Sequence, residues 1–160
     1  MWTQQKKAGV LAGSLAILLV GGAVAWYAFA PKPVDARSEA APEGAVLREG
    51  TFRNGDALHE TRGTVSLVDV GGRHVLRFED YEATAGPAVY FYLTRAGAAP
   101  DAQGIEGEGL LVRTPTTTGQ ATLRGDFNLE IPEGVDVARY DGVAVWCERF
   151  DVLFGSATFA

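Results

Sequence analysis

Beyond Ala45 the chain predicts an all-β fold, a single antiparallel β-sandwich or barrel-like domain, on three observations. Apolar residues alternate with polar ones instead of recurring at helical spacing, so each segment offers one face to a core. Glycines and prolines interrupt the alternation at short intervals, as turns require. In Thr64-Val-Ser-Leu-Val-Asp-Val70, Gly71-Gly72, Arg73-His-Val-Leu-Arg-Phe78, two glycines separate two alternating runs. Glycine tolerates positive φ, so this stretch predicts a hairpin closed by a tight primed turn.

Residues 1–7, Met1-Trp-Thr-Gln-Gln-Lys6-Lys7, are polar and basic, and an uncharged, largely apolar run follows from Ala8 to Ala30. As a helix at about 1.5 Å per residue that run spans roughly 34 Å, enough to cross a hydrocarbon core of about 30 Å. It predicts a single-pass transmembrane helix in the cell membrane. Lys6 and Lys7 favour a cytoplasmic N-terminus and Trp26 and Tyr27 suit the far interface, so the C-terminal domain is expected outside the cytoplasm. The competing reading is a cleaved signal peptide, because Ala28-Phe29-Ala30 resembles an A-x-A site. The length of the run and Pro31 directly after that site favour a retained anchor. Residues 31–44 hold three prolines and no apolar period, which predicts a semi-extended tether.

The remaining 45–160 fits one domain large enough to bury a core. Its strands are expected at 46–53, 64–70, 73–78, 88–94, 109–113, 121–131, 143–147 and 151–159. All 20 acidic residues lie beyond the anchor whereas Lys6 and Lys7 precede it, so the domain is more acidic than the chain's net −6. That surface should repel nucleic acid and anionic lipid headgroups. Contact with lipid is expected through the N-terminal helix alone.

The one cysteine, Cys147, cannot staple its own chain and must serve packing, chemistry or pairing with another molecule. In Val143-Ala-Val-Trp146-Cys147, alternation puts Val143, Val145 and Cys147 on one face and Ala144 and Trp146 on the other. A thiol aligned with two valines reads as core. A thiol at a strand end, beside Glu148 and Arg149, can equally be exposed and reactive. The aromatics Tyr90, Phe91, Tyr92, Trp146, Phe150 and Phe154 read as core candidates.

Several elements fall in a recognisable order: Gly50-Thr-Phe52, His59 then Gly63, Leu76-Arg-Phe78-Glu-Asp-Tyr81, Gly86-Pro87-Ala-Val-Tyr90-Phe-Tyr92-Leu93, Gly125-Asp-Phe-Asn128, and Val145-Trp146-Cys147-Glu-Arg-Phe150 through Phe154-Gly155. Over roughly 46–159 the chain resembles the DM-thirteen domain, an electron-transfer module found beside DOMON domains. The resemblance implies an all-β fold and a redox role for Cys147, with Trp146, His59, Tyr90 and Tyr92 as supporting residues. Two positions depart from it: Ala88, where an acidic residue often follows Gly-Pro, and Leu129, where a tyrosine is common.

Other chemistry is thinly signposted. His59 and His74 belong to no H-x-x-x-H or C-x-x-C pair, and His59 with Cys147 is the one soft pair that could hold haem or a metal ion. No motif names a cofactor. Glu79, Asp80 and Glu82 around Tyr81 read as a solvated turn after a strand, and Glu106 and Glu108 as part of a glycine-rich loop. That loop lacks G-x-G-x-x-G spacing, and Ser156 lacks a G-x-S-x-G elbow. Arg124-Gly125-Asp126 falls inside an expected strand. Two functions follow: a membrane-anchored redox module working with an envelope partner through Cys147, or a non-catalytic binding or assembly module with a buried structural cysteine.

Overall fold

A computed structural model of the chain describes residues 35–95, 105, 109–112 and 123–160. Among the described residues ten strands form two five-stranded sheets. The strands are β1 (Asp35–Ser38), β2 (Ala45–Thr51), β3 (Arg53–Asn54), β4 (Thr61–Val70), β5 (Arg73–Ala83), β6 (Val89–Thr94), β7 (Leu110–Val112), β8 (Leu123–Glu130), β9 (Gly142–Cys147) and β10 (Val152–Thr158). The first sheet runs β1-β8-β5-β4-β2 and the second β3-β10-β9-β6-β7. Every pairing is antiparallel except β1 with β8. Their inner faces share one core, the sandwich form of the expected fold.

The β4–β5 hairpin turns at Gly71 (φ 64°) and Gly72 (φ 88°), and Asp69 Oδ1 accepts the Gly72 N–H at 2.7 Å. Both glycines take the positive φ a primed turn demands, as the sequence indicates. At the other end of this hairpin the strands run further than alternation suggests. Gly63 on β4 faces Asp80 and Tyr81 together on β5, because the register jumps between Arg62↔Glu82 and Thr64↔Glu79. This bulge holds Asp80 at φ 49° and Gly63 at φ 108°. A β carbon on Gly63 would stand 2.7 Å from the Glu79 carbonyl oxygen. Asp126 Oδ1 accepts the freed Asp80 N–H at 2.9 Å.

The extra residue corrects one sequence expectation. Glu79 and Asp80 are solvent-exposed as expected, but residues 79–82 continue β5 instead of turning, because inserting Asp80 shifts the alternation by one and brings Tyr81 into phase with Phe78. Both rings are fully buried. With Phe52, Phe91 and Phe127 they make an aromatic cluster with centroid separations of 4.6 to 6.0 Å. Glu82 is turned outward between Arg62 and Arg124, pairing with both. Arg124-Gly125-Asp126 is thus committed to the sheet, with Gly125 at φ 92° against the Arg37 carbonyl.

Inside the stretch read as a tether, β1 lies parallel to β8, with Asp35 opposite Leu123. Glu39 fastens it: its carboxylate accepts from the Asn128 N–H at 2.9 Å, and its carbonyl accepts from buried Arg77 at 2.7 Å. Among the described residues no helix is long and apolar enough to cross a membrane. The cytoplasmic segment 1–7, the anchor at 8–30 and the signal-peptide alternative lie outside those residues.

Candidate functional site

β9 obeys its alternation over its whole length. Val143, Val145 and Cys147 point into the shared core, while Ala144 and Trp146 join Tyr92 and Ile105 in a second cluster on the outer face of the sheet. Tyr90 and Leu153 pack against that outer cluster. Cys147 is a free thiol with no exposed surface, and it sits directly opposite Val89 of β6 and Val152 of β10. The strand end therefore buries the sulfur. Trp146 and Tyr92, 5% and 7% exposed, stand across the sheet from it. The Tyr92 hydroxyl donates to Glu148 Oε1 at 2.5 Å, tying the outer cluster to the turn after Cys147.

That turn is one of three connections joined over this end of the sandwich. Glu148 N–H donates to the Ala88 carbonyl at 2.9 Å, linking the β9–β10 turn to the β5–β6 connection. Thr84 N–H donates to the Glu60 carbonyl at 2.9 Å, linking that connection to the β3–β4 loop. Phe154, on β10 just beyond the β9–β10 turn, holds the other two. It is the surplus residue of a bulge in β10, where the register passes from Leu153↔Trp146 to Gly155↔Val145. Its carbonyl accepts from Gly55 N–H (3.0 Å) and Thr61 Oγ1 (2.9 Å), and its ring is buried. A β carbon on Gly86 would lie 2.8 Å from that ring, so the Gly-Pro element needs glycine where the loop crosses Phe154.

The His59 ring stacks on Phe154 with centroids 4.1 Å apart and planes 28° apart. Asp56 holds His59 there, accepting from the Leu58 N–H (2.7 Å) and the His59 N–H (2.8 Å) with His59 Nδ1 2.8 Å from its carboxylate. The contact with His59, then the Leu58 amide, holds the Asp56 carboxyl below its ordinary 3.8. His59 thereby packs the β3–β4 loop onto Phe154. The Cys147 thiol is sealed in the core, while the Asp56 contact at Nδ1 leaves Nε2 as the remaining donor atom of the His59 ring. Among the described residues no group of three or more His, Cys, Asp or Glu side chains could hold a metal ion. His74 lies on β5 opposite Asp69, and its carbonyl accepts from the Ile131 N–H. Glu106 and Glu108 lie outside the described residues.

Phe150 departs from its expected place, and Asp151, Leu58 and Asp56 carry no site expectation from the sequence. Phe150, expected in the core, is 57% exposed because it sits in the β9–β10 turn, where neither sheet face continues. Asp151 after it adopts φ 57°, a left-handed conformation rare outside glycine. Leu58, in the Asp56-capped loop, is 82% exposed. Asp56 itself had a legible signal: an aspartate two or three residues before amides it can cap, in a loop between strands.

One further oddity lies deeper in the core. The Tyr81 hydroxyl has no hydrogen-bond partner among the described residues, and burial alone pushes the phenol far above its ordinary pKa.

A family model described as Electron transfer DM13 matches residues 51–159. No curated protein and no solved structure matches the chain.

Proposed function

This chain belongs to the DM13 electron-transfer family, and on that premise we propose that it is a membrane-tethered extracytoplasmic module that passes electrons through Cys147. The anchor at 8–30 would hold it in the cell membrane by a single span, with residues 1–7 in the cytoplasm. Family membership carries the redox part of this reading. The position of Cys147, at the end of β9 beneath joined loops, supports its choice as the redox group.

A lone thiol moves electrons by exchange with a partner's disulfide. The Cys147 sulfur attacks one partner sulfur, the partner S–S bond breaks as the mixed disulfide forms, and the departing thiolate takes up the proton released by Cys147. One thiol of a donor dithiol then attacks the Cys147 sulfur and releases the partner fully reduced. The donor's second thiol attacks its own sulfur in the new mixed disulfide, closing the donor disulfide and releasing the Cys147 thiol. Each departing thiolate takes up the proton of the attacking thiol, and two electrons have passed from donor to partner. Cys147 is buried, so the exchange requires a local opening at the end of β9, and the closed form keeps the thiol from unselective oxidation.

Equilibrating the full chain in detergent with glutathione buffers of graded oxidation tests this. The reading predicts reversible mixed-disulfide formation at Cys147 under native conditions. Absence of adduct at every ratio, with ready modification after denaturation, would exclude it. That outcome belongs to the second reading, a non-catalytic envelope binding module, which the packing of Cys147 beside Val143 and Val145 favours.

A further inference from the structure

We infer that the loop platform over the Cys147 end is a docking surface for a protein partner that presents an apolar centre inside a basic rim. The inference deepens the redox reading and rests on it only for the purpose of docking. Among the described residues four large hydrophobic side chains are exposed, and two of them, Leu58 and Phe150, stand on this platform. Half-buried Pro87 and Ala88 extend the apolar surface on the connection between them.

Solvent-facing apolar groups on slack loops would carry little meaning, but these loops are held in place. The Leu58 loop is capped by Asp56 and stacked on Phe154 through His59. The Phe150 turn is fixed by the Glu148–Ala88 bond and pays for a left-handed Asp151. Preorganised apolar side chains lose little entropy on binding, which is what an interface anchor needs.

Charge selects the occupant. Exposed Asp56, Glu60, Glu148 and Asp151 border the platform, against Arg149 alone on the same three connections. A basic rim would be attracted and steered, and anionic lipid would be repelled. The same patch on a second copy would meet its own carboxylates, which disfavours a self-dimer. An apolar centre within a charged rim suits the small, weak interfaces of proteins that exchange electrons and part.

The test uses the full chain in detergent and a dye-labelled peptide of alternating lysine and tryptophan, with a glutamate–tryptophan peptide as its counterpart. Anisotropy should report binding of the basic peptide only, weakened about tenfold by Leu58→Ser with Phe150→Ser. Val46→Ser with Leu47→Ser, which removes the other exposed apolar pair, should change binding by less than about twofold, within the range of surface substitutions. Glu60→Lys, which leaves the apolar groups untouched, should weaken it about threefold, and raising salt should do likewise. Equal losses in the two serine pairs, or equal binding of both peptides, would overturn the inference. Placing Phe150→Trp in nanodiscs of brominated phosphatidylcholine gives a third arm: added quenching over the parent chain would mean that lipid is the occupant and would also overturn it. Cys147→Ala should bind as the parent does. An inert Cys147 with intact site-specific peptide binding would sink the redox reading and leave the docking surface standing.

Discussion

Tyr81 and Cys147 enter the same core from facing sheets, and they arrive by opposite routes. Cys147 needs only unbroken alternation along β9, and its sulfur takes a place a small hydrophobe could fill. Tyr81 needs a bulge, a left-handed Asp80, a glycine at φ 108° across from it and a carboxylate from β8 to take the spare amide. The result is a hydroxyl buried without a partner. Strain at Tyr81 is spent inside the fold, whereas the strain near Cys147, at Asp151, is spent at the surface beside exposed Phe150. The contrast separates a device that builds the aromatic core from one that shapes a contact face.

The largest effect should come from Phe154, which joins the two regions. Phe154→Ala removes the ring that carries His59 and crosses Gly86, and should cost about 3–5 kcal/mol, read from the urea midpoint of the full chain in detergent. It should also speed thiol labelling of Cys147, because the platform loses its pin. Next is Gly63→Ala, where the φ of 108° and the nearby Glu79 carbonyl leave no room for a β carbon. A loss of about 1–3 kcal/mol is expected, with near-UV dichroism of the aromatic cluster altered. If Gly63→Ala is silent, the bulge is not what places Tyr81.

Tyr81→Phe should move the other way. Removing a buried, unpartnered hydroxyl while keeping the ring should stabilise the chain by about 1 kcal/mol, seen as a higher urea midpoint. A loss instead would mean the hydroxyl has a partner that matters. The smallest effect is acid sensitivity at the platform. Asp56 has a folded pKa below its ordinary 3.8, so its contribution is present above that value and is lost as pH falls through the folded one. Asp56→Asn should flatten that part of the acid limb, measured as the urea midpoint against pH, and should leave the limb above about pH 5 unchanged.

The same contrast explains what the sequence made legible. Val143, Val145 and Cys147 on one face and Trp146 on the other follow from a period of two, and Gly71-Gly72 follows from local turn chemistry. Both are short-range facts. Alternation alone does not place Tyr81, because a single extra residue inverts the phase and nothing in the 79–82 run marks Asp80 as the one that steps aside. Phe150 was misread because composition says aromatic while position says turn. β1 was hidden in a proline-rich stretch because its partner is Leu123 and its neighbours on β8, far along the chain, and parallel pairing leaves no local signature. The residues of the family resemblance were legible as a set, and the structure divides them: Gly63, Tyr81 and Gly125 serve the bulge, while Gly86, Trp146 and Cys147 serve the platform end.

In the redox reading Cys147 is reached by a local opening of the platform end and not by unfolding the domain. Labelling of Cys147 by a small neutral thiol reagent, followed in the folded full chain across urea concentrations, measures this directly. The redox reading requires a rate well above that set by global unfolding, nearly flat at low urea and raised by Phe154→Ala. A rate that tracks the global unfolding equilibrium from the first addition of urea would contradict it and leave Cys147 as a core residue.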